Sequence, residues 1–278
     1  MADNKTVQTP HLAVIPTGLS RRGHLTGKVE SVLLDIYGTL FISGSGDIGI
    51  TETDGSEHPG LNQLLLKFGI ENRVDTIVSD LRRAIEDKHL ELKTSGIDFP
   101  EVEIDKIWMD LLGITKESKA RDFAAAFERL VNPVYPMPHL KELLSACTER
   151  KIRMGIISNA QFYTPDLFRR FLGAPPEALG FHPELVFYSY RLGTAKPSIQ
   201  MFHAAANRLR FMGIPLHRVL FVGNDMLNDI YPAQKVGFQT GLFAGDKRSL
   251  RLREDSARCK NLNADIVVTD LIQLLDYL

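Results

Sequence analysis

The apolar positions of the chain follow two rhythms. Short continuous apolar runs over residues 29–34, 152–157, 185–188, 219–222, 240–244 and 266–268 predict strands buried on both faces. Amphipathic stretches between them, such as 139–150 and 199–210, predict helices. Residues 60–132 carry the helical period instead: Val74, Ile77, Val78, Leu81, Ile85 and Leu92 share one face. Ile104, Ile107, Trp108, Leu111 and Leu112 share a second, and residues 123–131 a third, before Pro133, Pro136 and Pro138 close the block. Repeated strand–helix units after Pro138 predict an α/β fold with a doubly wound parallel sheet. The helical block is expected as an insertion after the first strand, and no repeat at a fixed period is present.

Punctuation sets the expected domain limits. Residues 1–27 are polar and broken by Pro10, Pro16, Gly18, Gly23 and Gly27, so they are expected to form an irregular N-terminal arm, ordered in part by the apolar stretch 12–15. The run 43–49, Ser-Gly-Ser-Gly-Asp-Ile-Gly, has the composition of a hinge. The expected division is a core over 28–43 and 137–278, with a helical cap over 44–136.

Composition narrows the function classes. With 278 residues and 44% hydrophobic content, the chain is long enough for one large domain or two smaller ones. A formal net charge of -1 offers no global positive field for gripping nucleic acid. Cys147 and Cys259 make neither a disulfide framework nor a metal site by themselves, and suit a reducing compartment. The N-terminus lacks the apolar core of a secretion signal, and no apolar run approaches the roughly 18 residues of a membrane span. A cytoplasmic location and no membrane partner are therefore expected, while the oligomeric state is left open.

Polar residues collect just beyond four predicted strands: Asp35, Ser158 with Asn159, Lys196, and Asp225 with Asp229. In open α/β sheets that edge is where ligands bind. Each residue also has a plain structural reading. Asp35 is either a turn aspartate or a nucleophile or metal ligand held on a rigid strand end, with Gly38 permitting close backbone approach and Thr39 bracing the turn. Ser158 is either a helix cap or, with Asn159, a group that holds an anion. Lys196 is either solvated or partnered by Asp35 and an anionic substrate, because a cation is unfavourable at the start of a helix. Asp225 and Asp229 are either a cap and a first-turn acid or, converging with Asp35, acids that need a cation among them. Their oxygen chemistry suits Mg²⁺.

In that order the four segments resemble the haloacid dehalogenase (HAD) superfamily. Asp35-Ile36-Tyr37-Gly38-Thr39-Leu40 resembles its first motif, Ile156-Ile157-Ser158-Asn159 its second, Lys196-Pro197 its third, and the stretch from Val222 through Gly223, Asn224, Asp225, Asn228 and Asp229 to Ile230 its fourth. The resemblance implies a modified Rossmann core with Asp35 as nucleophile. Ser158 would bind the transferred group, Lys196 would orient and neutralise it, and the fourth-motif acids would hold Mg²⁺ or activate water. On this basis Asp35, Thr39, Ser158, Asn159, Lys196 and Asp229 are the expected catalytic residues. Tyr37, Gly38, Ser158, Asn159 and Lys196 are expected against substrate, and Asp35, Tyr37 (through its carbonyl), Asn224, Asp225 and Asp229 around the metal. From Asp35 to Ser158 is 123 residues, where a plain strand–helix–strand unit needs about 30; the excess matches a helical cap.

Two departures divide the chemistry. Phosphatases of the superfamily carry a general acid/base two residues after the nucleophile, a group worth about 10²–10⁴-fold, and here Tyr37 stands in its place. That pattern is the one 2-haloacid dehalogenases show, whose halide leaving group needs no proton and which need no metal. Asp225 and Asp229 point the other way, towards a phosphatase, although Asn224 stands where the usual first acid would be. The expectation is a HAD-type hydrolase of a small anionic substrate, inclined to Mg²⁺-dependent hydrolysis of a phosphorylated metabolite. A metal-independent 2-haloacid dehalogenase is the alternative, and a catalytically weak protein that binds a phospho-ligand or a protein partner is the third. In the cap, Arg82, Arg83, Lys88 and Lys93 are either a solvated face or a hold for an anionic tail, and Trp108 is expected in the core. Lys247, Arg248, Arg251 and Arg253 are expected as a solvent-exposed basic cluster.

Overall fold

The computed structural model describes residues 12–45, 60–71 and 73–278; the hinge expected over 43–49 lies outside them from residue 46 onward. The strands and helices, in chain order, begin with β1 (Arg22–Gly23), β2 (Ser31–Leu34) and β3 (Phe41–Ser43). Then come α1 (Leu61–Lys67), α2 (Ile77–Thr94), α3 (Ile104–Leu112), α4 (Glu117–Val131) and β4 (Val134–Pro136). The remainder alternates: α5 (Leu140–Glu149), β5 (Arg153–Ser158), α6 (Asp166–Leu172), β6 (Phe181–Tyr188), α7 (Ser189–Leu192), α8 (Gln200–Phe211), β7 (Val219–Gly223), α9 (Tyr231–Val236), β8 (Gln239–Phe243) and β9 (Ile266–Val268).

Seven strands make one sheet in the order β1-β9-β8-β7-β2-β5-β6, parallel except for the antiparallel edge strand β1. β2 lies between β5 and β7, in register so that Leu34 pairs with both Ile156 and Val222. Although its run is wholly apolar, its side chains alternate between two cores. Val32 and Leu34 pack with Leu143, Phe168 and Leu271 on one face, and Leu33 packs with Phe202, Leu209 and Phe221 on the other. The continuous apolar strands follow from this coverage on both faces.

The helical cap has a core of its own, in which Trp108 sits edge-on to Phe123 and Phe127 at ring distances of 4.8 and 4.9 Å. Trp108 is a core residue, as expected from its helical period. The chain enters and leaves the cap through β3 and β4, an antiparallel pair in which Ile42 faces Tyr135. Asn132 Oδ1 accepts from Ser43 Oγ at 2.9 Å, and Gly44 N donates to Pro133 O at 2.9 Å, so the two crossings are tied together. A second tie joins the cap to the loop after α7: Glu101 N donates to Gly193 O and Ala195 N to Phe99 O.

Three elements differ from the sequence expectation. The pair β3–β4 lay hidden because three-residue strands next to prolines carry no periodic signal. β6 starts at Phe181, four residues early: it is an edge strand with a register shift opposite Met154 and Ile156, a setting that tolerates Pro183. The third is β1: the arm is otherwise without regular structure where it is described, yet it is held to the sheet. Arg22 pairs with Val267, Thr26 N donates to Gln239 Oε1 at 2.8 Å, and Lys247 N donates to Ile15 O at 2.8 Å.

Candidate active site

The site grows from the parallel register. Because β2, β5 and β7 end level, the residues that follow them meet at one edge of the sheet. Asp35 leaves β2 with its N–H donating to Val222 O at 3.0 Å, which fixes its backbone. Its Oδ1 accepts from Ser158 Oγ at 2.8 Å and from Lys196 Nζ at 2.7 Å. Oδ2 takes no hydrogen bond from the described residues. Lys196 Nζ also donates to Asp229 Oδ1 at 2.6 Å, and Asp229 Oδ2 accepts from Asp225 N at 2.9 Å. A Cβ on Gly223 would collide with the Asp229 carboxylate, which is why a glycine ends β7.

All of these groups are buried, Asp35 to 5% exposure, Lys196 to 7% and Asp229 to 1%. Burial opposes the lysine charge, but Asp229 and Asp35 outweigh it and hold the ammonium above its ordinary range. Burial also dominates at Asp229. One ammonium serves two carboxylates there, and the charges of Asp35 and Asp225 add to the burial, so the Asp229 carboxyl is pushed up to about 7 against the pull of Lys196.

The other expected residues fall into two sets. Asn159 clamps the Lys196 backbone, accepting from its N–H at 2.7 Å and donating to its carbonyl at 3.3 Å, so it positions Lys196. Thr39 turns away from the substrate side and donates to Asn224 Oδ1 at 3.0 Å, while Asn224 Nδ2 donates to Ser249 O at 2.7 Å. Gly38, at φ +81°, has Ser249 Cβ 2.5 Å and Asn224 Nδ2 2.7 Å from where its own Cβ would stand. The Tyr37 hydroxyl bonds Thr164 Oγ1 at 3.0 Å, away from Asp35, and burial raises it far above the ordinary tyrosine range.

Asp225 departs from the expectation. Its Oδ1 caps the π-helical turn Met226–Ile230 by accepting from Leu227 N and Asn228 N, and Arg253 binds both carboxylate oxygens, the shortest contact being 2.6 Å. It is thus neutralised by an arginine and spent as a cap. Arg253 balances Asp225, so the charge that a metal was expected to balance is confined to Asp35 and Asp229, which share the one Lys196 ammonium.

The basic cluster after β8 is likewise not a solvated one beyond Lys247. Arg248 pairs with Asp246, Arg253 with Asp225, and Arg251 comes to the active site, where Met226 N donates to its carbonyl. Sequence reading missed Ser249 and Arg251 as site residues. The spacing of 28 residues between Asp225 and Arg253 has no periodic meaning along the chain.

A cavity of about 30 Å³ lies at the centre, lined by Asp35, Tyr37, Asn224, Asn228, Asp229 and Ser249 among others. That is the room of one water or one small ion. The Ser249 hydroxyl in its wall is buried without a hydrogen-bond partner. Lys196 and Arg251 also line it, but its size, its carboxylate and amide oxygens and the orphaned hydroxyl fit a single Mg²⁺. Asp35, Tyr37 through its main-chain carbonyl, Asn224 and Asp229 are the residues that would hold it. Among the described residues no cluster of three or more acidic, histidine or cysteine side chains is placed for a metal. No helix among them is long and apolar enough to cross a membrane.

Comparison with known proteins agrees with this geometry. A family model described as haloacid dehalogenase-like hydrolase matches residues 29–237. Haloacid dehalogenase-like hydrolase domain-containing protein 3 of Xenopus laevis is 31% identical over 107 residues, which span 38% of this chain and 40% of that protein. Among solved structures, a 2-haloacid dehalogenase from Pseudomonas syringae superposes with a TM-score of 0.58 at 18% identity, covering 90% of this chain and 97% of that one. A HAD phosphatase from Thermococcus onnurineus superposes with a TM-score of 0.53 at 18% identity, covering 89% and 97%. These two show a shared fold, and their different chemistries leave the reaction to be argued from the site.

Proposed function

Because the chain belongs to the haloacid dehalogenase-like hydrolase family, we propose that it hydrolyses a small phosphorylated metabolite through a covalent intermediate on Asp35, with Mg²⁺ as cofactor. We assign the core to residues 28–43 and 137–278 and the cap to 44–136, the cap selecting the leaving group. The observation that carries this reading is the asymmetry of Asp35: Oδ1 is pinned by Ser158 and Lys196, while Oδ2 is left without a partner beside the small cavity. An oxygen so held is oriented for attack before substrate arrives.

Oδ2 forms a bond to phosphorus as the bond to the leaving oxygen breaks. Water then attacks the phosphorus and releases phosphate and the Asp35 carboxylate. Lys196 balances charge on the transferred group, and Asn159 holds Lys196 in place. Bound Mg²⁺ would supply Lewis-acid neutralisation of the phosphoryl oxygens. Tyr37, in place of the usual general acid, is bonded to Thr164, so esters of weakly basic alcohols such as phenols should be preferred over alkyl esters, by up to about 10²–10⁴-fold.

Tyr37 also favours a second reading, metal-independent displacement of halide from a 2-haloacid, because that leaving group needs no proton. The two are separated by assaying 4-nitrophenyl phosphate across a Mg²⁺ titration with an EDTA control, beside chloride release from 2-chloropropionate without metal. EDTA-sensitive phosphate release is expected; chloride release alone would establish the second reading. Asp35→Asn should abolish turnover with an unchanged thermal midpoint, and retained turnover would remove Asp35 from its role.

A further inference from the structure

A second cavity, of about 260 Å³, lies between the cap and the core. Its volume is close to the lower end for small-molecule sites, about 300–1,000 Å³. Asn159 lines both this cavity and the small one at Asp35, and Ala195, next to Lys196, lines the larger. A group leaving Asp35 therefore has this space beside it. Ile85, Trp108 and Phe127 supply apolar walls, and the polar side is made by Glu101, Glu128 and His89.

The charges there are one-sided. No lysine or arginine lines the cavity among the described residues, and the sequence of residues 46–59 contains none either. On the cap, Arg83 and Lys88 pair with Asp80 and Glu91 outside this cavity. The Glu101 carboxylate takes three donors, Val102 N and Gln161 Nε2 on Oε1 and Ser189 Oγ on Oε2. Glu128 is different: Oε1 accepts only from Asn132 Nδ2 at 3.0 Å and Oε2 only from Tyr163 OH at 3.2 Å. Each oxygen keeps a free lone pair, and the carboxylate has no ion-pair partner among the described residues. On the same cavity His89 Nε2 is buried with no partner, and burial, with the charge of Lys93, lowers the imidazole from its ordinary range. A carboxylate at an apolar wall is costly to hold without a cation: burial raises the Glu128 carboxyl above its ordinary range against the two donors, and no lysine or arginine among the described residues pairs with it.

We propose that the leaving group is an apolar, ring-sized alcohol bearing an ammonium or similar cationic donor, held by Glu128 and His89, and that substrates with a second anionic group are rejected. This rests on the assignment of Asp35 as nucleophile only for its catalytic meaning; the binding preference stands by itself. The test is calorimetric titration of the full chain with two phenols that differ in charge, tyramine and 4-hydroxyphenylacetate. Tyramine should bind at least about tenfold more tightly, Glu128→Gln should remove about tenfold of its affinity, and His89→Leu should weaken it independently. Equal binding, preference for the carboxylate, no binding of either at millimolar concentration, or unchanged tyramine affinity in folded Glu128→Gln and His89→Leu variants would each overturn the proposal. Tyramine binding with no hydrolysis of 4-nitrophenyl phosphate would count against the phosphatase reading and leave the cavity's preference standing.

Discussion

Lys196 is the residue on which the site's electrostatics turn, since a single ammonium is shared by Asp35 and Asp229. With its carboxyl pushed up to about 7, chiefly by burial, Asp229 holds a proton in the folded chain that an unfolded aspartate, at about 3.9, has already lost. The folded state thus binds more protons between about pH 4 and 7, so this group's contribution to stability is present at low pH and fades as pH rises through that window. Lys196→Met leaves both carboxylates without their cation and should destabilise the chain by about 3–5 kcal/mol. Urea denaturation should show a larger loss at pH 8 than at pH 5, and an equal loss at both would refute the sharing. Gly38 is the complementary steric case. Gly38→Ala must hold a left-handed backbone and crowd Ser249 and Asn224, which together should cost about 2–5 kcal/mol, measured by the same titration. The meeting of Asp35, Ser158 and Lys196 at one sheet edge was legible because polar residues that end buried strands stand out against their apolar neighbours. The orientation of Tyr37 and the capture of Asp225 by Arg253 were not, because each depends on a partner that sequence spacing does not name.

At the scale of elements, the segment after β8 closes the site by bonds to the β7 end: Asn224 Nδ2 to Ser249 O, Arg251 N to Asn224 O, and Met226 N to Arg251 O. Asn224 therefore serves as a latch. Asn224→Asp would set a carboxylate against the Ser249 carbonyl, losing a buried hydrogen bond worth about 1–3 kcal/mol, while adding a charged donor to the small cavity beside Asp35. The variant should melt lower than the parent without metal and show a larger upward thermal shift with Mg²⁺. A shift no larger than the parent's would remove this position from the cation site. The core strands were readable because coverage on both faces makes their sequences continuously apolar. The short pair β3–β4 and the extension of β6 past Pro183 were settled by neighbours across the sheet.

Over the whole molecule, the arm is a strap. Its residues bond to β9, to Gln239 and to the segment after β8 that carries Ser249. Deleting residues 1–27 should lower the melting temperature and bare the β9 edge, a template for association. Light scattering should then show oligomers absent from the full chain, and an unchanged midpoint with unchanged mass would show the strap to be dispensable. The cap is tied to the core at β3–β4 and at 99–101 with 193–195, the second tie adjoining Lys196. Cap and Lys196 are thus mechanically joined.

The alternation of core strands and helices after Pro138, the helical insertion and the four polar clusters were determined by the sequence alone, because periodicity and strand-end polarity are local properties of a chain. Which of those polar groups stay available for chemistry was decided only in three dimensions. A carboxylate acquires its function from the charges and donors that surround it, and here these come from residues as distant as Arg253 for Asp225 and Lys196 for Asp35. The same holds for the cavity beside Glu128, whose character comes from the absence of any lining lysine or arginine among the described residues.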